Sequence, residues 1–330
     1  MANLRAGLIG LGMMGRHHAR VLGALDGVDL ATVADPAGDT HGVVGGRAVL
    51  KSVEELIETG IDYCVVAVPT IFHEDVGLKL AEAGVHAIIE KPLAPSVASA
   101  TKLAETFEKA GLVGAVGHIE RYNPALQEAR RRIEDGELGR IFQVATRRQN
   151  GFPARIADVG VVKDLATHDI DLTTWITQQE YVWVQARTAH RAHRNHEDLV
   201  SAIGQLADGT VTNHLVNWLS PFKERVTVIT GERGAYVCDT LTADLTFYAN
   251  GTQIEAWDDV ANFRGVSEGD VIRYAIAKPE PLKLEHENFR DAVLGKPADI
   301  VTMRQGLNTV KVADWMIESA STKFEVITDT

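Results

Sequence analysis

Residues 7–15 read GLIGLGMMG, with Gly10, Gly12 and Gly15 in the spacing G-x-G-x-x-G between an apolar run and a helix-like stretch. The spacing has a physical use. Gly10 and Gly12 permit a tight turn and a close approach of backbone to a diphosphate, Gly15 lets helix and strand pack, and the helix N-terminus offers its N–H groups to the phosphate charge. Met13 and Met14 lie in the same turn and join the candidate cofactor contacts. A purely structural glycine loop carries the same letters, so the neighbouring sequence decides. Asp35 ends the next apolar run in VADP, 20 residues after Gly15. There its carboxylate can accept hydrogen bonds from both hydroxyls of an adenosine ribose and repels a 2′-phosphate. Pro36 follows where an Arg or Ser would accommodate that phosphate, so NAD is expected in preference to NADP. The plain alternative is that Asp35 only closes a turn.

Outward from this loop, the short apolar runs RAGLIG, VDLATVAD, IDYCVVAV, VHAIIEK and LVGAVGH recur between amphipathic stretches. Such runs are what the strands of a parallel sheet covered on both faces require. One of the intervening helices, HEDVGLKLAEAG, is expected to stop at Gly84. An NAD-binding domain is therefore expected over residues 1–120.

After Glu120 the pattern changes. NPALQEARRRIEDGEL reads as a helix and RIFQVATRRQ as a strand; alternating runs follow, joined by the glycine turns ADG, GERG and ANG. Hairpins of this kind build an antiparallel sheet. PLKLEHENFRDAVLG and TMRQGLNTVKVADWMIESAS are helical by period, so residues 121–330 are expected to form a second, α+β domain with C-terminal helices.

Charge narrows the partners. Against 33 Lys and Arg stand 45 Asp and Glu, a net charge of −12 that argues against nucleic acid and obliges any anionic ligand to meet a local basic pocket. Cys64 and Cys238 are far apart, and Cys64 lies in an apolar run, so buried thiols and a reducing, cytoplasmic setting are expected. The N-terminal residues do not resemble a secretory leader, and no apolar run approaches membrane-spanning length, so no membrane partner is expected.

The stretch DLATHDIDL, residues 164–172, sets one histidine among three aspartates. On a helix Asp164 and His168 stand at i and i+4, Asp171 follows on nearly the same side, and Asp169 points elsewhere. A metal site, a proton-transfer site and a solvated helix face all fit this pattern. One histidine without a nearby cysteine is a poor metal set, and no metal is expected.

Residues 64–95 resemble the Gfo/Idh/MocA oxidoreductase family, through Pro69, Thr70, His73 and the Glu-Lys-Pro of Glu90, Lys91 and Pro92. The glycine fingerprint and the Asp164, His168, Asp171 spacing extend the resemblance along the chain. It implies an α/β Rossmann domain followed by an α+β domain with a large, mostly antiparallel sheet. The outer face of that sheet would make a homodimer or homotetramer. It also implies that Pro69, Thr70, His73, Glu90 and Lys91 adjoin the cofactor, with Lys91 beside the nicotinamide and Asp164 and His168 completing the catalytic group. The chemistry agrees: a histidine with a pKa near ~6.5 is poised to take a hydroxyl proton, and a lysine ammonium can stabilise developing alkoxide charge.

Three segments, GHIERYNPAL (117–126), FPARIADVGVVKDLATHDIDL (152–172) and NWLSPFKERVTVITGERGAYVCD (217–239), resemble the branch of the family that oxidises C3 of UDP-N-acetylglucosamine or its uronate. A nucleotide sugar needs cations for its pyrophosphate. The substrate candidates are Glu120, Arg121, Asn123, Arg155, Lys163, Asn217, Lys223 and Arg225, together with Lys91, Asp164 and His168. Asn123 and Asn217 could equally cap a helix or fill a turn. Residues 262–276, a polar insert matching nothing specific in that branch, could face the uridine end. The expected activity is NAD-dependent oxidation of the C3 hydroxyl of a UDP-N-acetylhexosamine or its uronate to the 3-keto sugar. The alternatives are a dehydrogenase of a free polyol such as inositol and a non-catalytic NAD- or sugar-binding regulator.

Overall fold

The apolar runs become six parallel strands: β1 (Leu4–Ile9), β2 (Val28–Ala34), β3 (Val49–Leu50), β4 (Tyr63–Val66), β5 (His86–Glu90) and β6 (Gly114–Gly117). Their spatial order, β3-β2-β1-β4-β5-β6, places a topological switch point between β1 and β4, beyond whose C-terminal ends such sheets bind ligands. Helices α1 (Met13–Leu22), α2 (Val53–Glu58), α3 (His73–Glu82) and α4 (Val97–Ala110) connect them. The computed structural model describes residues 3–152, 159–192, 195–251 and 268–322.

Alternation along each strand feeds two cores. Tyr63 and Val65 of β4 join Leu8, Leu22 and Val33 on one face, while Cys64 and Val66 join Leu56, Leu80 and Leu103 on the other. Each fully buried aliphatic side chain contributes about 1.5–3 kcal/mol relative to exposure. Helix α3 stops as its glycine requires: Gly84 has φ 75°, its N–H donates to Ala81 O, and that of Val85 donates to Leu80 O.

The domain boundary needs a correction. Residues 279–314 belong to the first unit, Met1–Ile119 with Pro279–Asp314, and not to the second, Glu120–Lys278 with Trp315–Thr330. The reason is apolar packing by helices α7 (Pro281–Val293) and α8 (Met303–Ser321). Phe289 meets Tyr63 edge-on at 5.4 Å between ring centroids, and Val301, Met303, Leu307 and Val310 complete the other core. At the β6 edge, Val116 N–H donates to Val301 O at 2.9 Å.

The second unit contains α5 (Pro124–Glu134), β7 (Ile141–Gly151), α6 (Thr167–Thr177), β8 (Tyr181–Ala189), β9 (Leu199–Leu206), β10 (Val211–Asn217), β11 (Leu219–Gly231), β12 (Gly234–Asp239), β13 (Asp244–Asn250) and β14 (Glu268–Arg273). These eight strands form one sheet, β14-β13-β12-β11-β7-β10-β9-β8, antiparallel except at the parallel β7–β10 seam. The ADG and GERG turns join β9 to β10 and β11 to β12, as hairpin chemistry predicts, while ANG sits at the end of β13. Part of the 262–276 insert, Glu268–Arg273, is the edge strand β14; residues 262–267 lie outside the described ones.

Helices α5 and α6 bury one face of this sheet through Leu126, Ala129, Leu172, Trp175 and Ile176 against Val144, Ile229, Tyr236 and Leu245. The other face leaves Trp183, Ile203 and Val211 each close to half exposed, and β9 alternates buried and exposed along its length.

Candidate functional site

The first unit supplies a dinucleotide cradle. Helix α1 begins at Met13 with Gly12 as its N-cap, no side chain caps it, and its first turn holds no acidic residue. The three glycines answer to different neighbours. Gly10 has φ 92°, and a Cβ there would stand 2.5 Å from Ala67 O; at Gly15 it would stand 1.9 Å from Gly10 O. A Cβ on Gly12 would meet nothing within 4 Å, so protein packing does not demand that glycine, while a diphosphate at the helix terminus would. Met13 is exposed and Met14 half-buried in this turn. Asp35 pins the loop: Oδ2 accepts from Leu11 N at 2.8 Å and Oδ1 from Ala37 N at 2.8 Å. Each oxygen retains a lone pair for a ribose hydroxyl.

Pro69 precedes a single 3₁₀ turn, Thr70–Phe72, which leads into α3. Two expected cofactor contacts receive other occupations. His73 is buried with Nδ1 2.9 Å from Pro92 O and Nε2 3.0 Å from Val68 O, so both ring nitrogens face backbone carbonyls, and the neutral ring donates its one N–H to one of them. Burial pulls its pKa down. Glu90 turns inward as well: Oε1 accepts from His18 Nε2 at 2.8 Å and Oε2 from Lys91 N at 3.1 Å. Lys91, half-buried, follows directly and is joined to Pro92 by a cis peptide. The sequence reading missed His18. Its signal is the helical stripe Gly15, His18, Ala19 and Leu22, all buried.

In the second unit, Asp164, Lys163 and His168 stand at the start of one helix. Val162–Ala166 is a π turn running into α6, so the expected helix begins with a wider turn than assumed. Single π turns recur at functional sites. Glu197, a residue the sequence reading missed, holds this start: Val161 N donates to Glu197 O at 2.9 Å and Val162 N to Oε1 at 3.1 Å. Asp164 is buried and His168 half-buried.

The aspartates of DLATHDIDL divide by role. Asp171 accepts from Arg121 Nε at 2.8 Å and Nη2 at 2.6 Å in a buried bidentate pair, which corrects the expectation of Arg121 as a phosphate ligand. Asp169 accepts from Arg148 Nε at 3.0 Å, and Arg148 Nη1 donates to Glu120 at 2.8 Å. Burial opposes the charge of Glu120, but the Arg148 guanidinium holds its carboxyl below the usual range. Arg148 was also missed, although strand period places it with Val144 and Thr146 on the inward face of β7.

Asn123 and Asn217 resolve to their structural alternatives. Asn123 Oδ1 caps α5 by accepting from Ala125 N at 3.0 Å, and Nδ2 donates to Thr240 O. Asn217 Oδ1 accepts from Leu219 N and Ser220 N, both at 3.0 Å, and Nδ2 donates to Gln149. Lys223 is exposed, and Arg155 lies outside the described residues. Arg225 is half-buried and donates to Gln149 O at 3.0 Å, Glu224 O at 2.8 Å and Asn150 Oδ1 at 2.6 Å. Burial, and then the neighbouring Arg148 charge, push its pKa down to about 10, against the pull of Glu120, Asp169 and Asp164.

Residues 4–118 match the family described as "Oxidoreductase family, NAD-binding Rossmann fold" and residues 126–237 the Gfo/Idh/MocA C-terminal domain. The chain belongs to the Gfo/Idh/MocA oxidoreductase family. It is 31% identical over 298 residues to the UDP-N-acetylglucosamine 3-dehydrogenase of Acidithiobacillus ferrooxidans, covering 89% of this chain and 90% of that one. A solved structure of that protein, GnnA, superposes with a TM-score of 0.84 at 27% identity over 97% of this chain and 98% of that one. The scyllo-inositol 2-dehydrogenase (NAD(+)) of Bacillus subtilis is also 31% identical, over 187 residues, 54% of this chain and 55% of its own. GenD2 from gentamicin A biosynthesis, solved in complex with NAD, gives a TM-score of 0.80 at 25% identity over 97% and 95% of the two chains. This member of the family is thus an oxidoreductase with an NAD-binding Rossmann domain. Among the described residues no helix is long and apolar enough to cross a membrane.

Proposed function

We propose that the protein oxidises the C3 hydroxyl of a UDP-N-acetylhexosamine or its uronate to the 3-keto sugar with NAD. The carrying observation is extent: the likeness to the UDP-N-acetylglucosamine dehydrogenase runs through 89% of the chain, whereas that to scyllo-inositol dehydrogenase covers 54%. That second likeness keeps oxidation of a free polyol as the runner-up.

Bound at Gly12 and Asp35, the nicotinamide cofactor supplies a hydride acceptor. The roles of the protein groups follow from their chemistry. His168 takes the hydroxyl proton, the Lys91 ammonium stabilises negative charge on that oxygen, and Asp164, four residues before His168, assists the charge balance. Asp35 favours NAD over NADP because its carboxylate opposes a 2′-phosphate. Arg225, whose described partners are carbonyl and amide oxygens, and exposed Lys223 are the cations offered to the pyrophosphate. A second copy of the chain covers the open sheet face, giving a homodimer or homotetramer. The buried thiols of Cys64 and Cys238 suit a reducing cytoplasm.

Steady-state kinetics of Arg225→Ala and Lys223→Ala test the substrate class. Each should raise KM for the UDP sugar about tenfold or more, the scale of one charge-assisted contact, and leave KM for inositol unchanged. Unchanged KM for the UDP sugar in both would remove the pyrophosphate from the account.

A further inference from the structure

Three buried side chains of the first unit form a hydrogen-bonded row that the proposed reaction does not use. Glu90, the last residue of β5, accepts from His18 Nε2 at 2.8 Å, and His18 Nδ1 stands 2.8 Å from His286 Nε2. The two rings meet edge-on with centroids 5.0 Å apart. His18 is 1% exposed, His286 0% and Glu90 9%. They come from α1, β5 and α7, so the row joins the helix that follows the diphosphate loop to the strand that ends at Glu90, one residue before Lys91.

The donors fix where the protons lie. Burial pushes His286 well below its usual range, so its ring is neutral. Its Nδ1 meets no hydrogen-bond partner among the described residues. An orphaned buried N–H is rarer than an under-used lone pair, so the His286 proton sits on Nε2 and is donated to His18 Nδ1. His18 then carries a proton on Nε2 and donates it to Glu90. The negative charge stays on Glu90: burial is the largest single effect and opposes it, but the bond from His18 and the neighbouring Lys91 charge and N–H act together to hold the carboxyl below its usual range. The second oxygen, Oε2, accepts from the Lys91 backbone N–H at 3.1 Å, and the Lys91 charge draws the Glu90 carboxyl down further.

We propose that His18 and His286 are positioning residues for Lys91: they keep Glu90 ionised and aimed at the Lys91 peptide, which fixes the direction of the lysine side chain and places a constant negative charge behind its ammonium. The proposal rests on the reading of Lys91 as a catalytic group. Without the His18 donor, burial dominates, Glu90 takes up a proton at higher pH, and the protonated carboxyl loses both its grip on the peptide and its charge.

The test is turnover against pH in the full-length protein, with NADH binding followed by fluorescence to establish that each variant is folded. His18→Leu should fall about tenfold or more below the wild type in mildly acidic buffer and recover as pH rises, because alkaline pH re-ionises Glu90. Glu90→Gln should be impaired to a similar extent at every pH. His18→Gln, whose amide nitrogen keeps a donor towards Glu90, should track the wild-type profile. If His18→Leu does not fold, His286→Leu carries the comparison, with a smaller shift in the same direction. A His18→Leu profile that overlies the wild type, or a Glu90→Gln enzyme of full activity, overturns the proposal and leaves the dehydrogenase reading standing. No turnover by the wild type with any sugar overturns that reading and this proposal with it.

Discussion

A methyl group added at Gly15 would stand 1.9 Å from a backbone oxygen, whereas one added at Gly12 would touch nothing within 4 Å. Gly15→Ala should therefore destabilise the first unit by about 1–3 kcal/mol or more, seen as a lower Tm. Gly12→Ala should melt within about 1 kcal/mol of the wild type and bind NADH about tenfold or more weakly. An early-melting Gly12→Ala with intact NADH affinity would remove the diphosphate from that space. The sequence carried this site because its information is local: three glycines and Asp35 lie within 26 positions. Arg121 shows the opposite case. Its cationic character was legible, but its neutralisation by Asp171, 50 positions away, was not. His73 and Glu90 likewise matched a family pattern whose letters do not say which way a side chain turns.

The helix carrying Asp164 and His168 was legible as a helix because its apolar residues recur with helical period. Its π turn was not, since Glu197, 35 positions from Val162, supports that turn. Glu197→Ala should cost about 1 kcal/mol in stability, the scale of a lost cap, and lower kcat more than it raises KM. An unchanged kcat would separate the π turn from catalysis. Glu120 and Arg148 give this unit an acid sensitivity whose sign follows from the depressed Glu120 carboxyl. Its contribution is complete above the unfolded carboxyl value of ~4.3 and is lost as pH falls through the lower folded value. Arg148→Met leaves the buried Asp169 and half-buried Glu120 carboxylates without their shared guanidinium. It should cost about 3–5 kcal/mol at neutral pH and move acid unfolding to higher pH, both measurable by circular dichroism.

At the scale of the whole molecule, alternating short strands and helices announced the parallel sheet, and glycine turns between alternating runs announced the antiparallel one. The discontinuous first unit was hidden. The period of α7 and α8 shows that these helices have a buried face, but only three-dimensional packing shows that Phe289 faces Tyr63 and that Met303 faces the core of the parallel sheet. The open face of the eight-stranded sheet yields a prediction for assembly. Ile203→Asp places a charge on that face and should shift the protein to monomers in light scattering without lowering the helix and strand content; an unchanged mass would locate assembly elsewhere. The central claim concerns chemistry, and NADH formation from NAD tests it most directly. The substrates are UDP-N-acetylglucosamine, its uronate, UDP-glucose, inositol and glucose, with Lys91→Ala as the blank. The account predicts an absorbance rise confined to the UDP-N-acetyl sugars and absent in Lys91→Ala; a rise with inositol or glucose and none with the UDP sugars would contradict it.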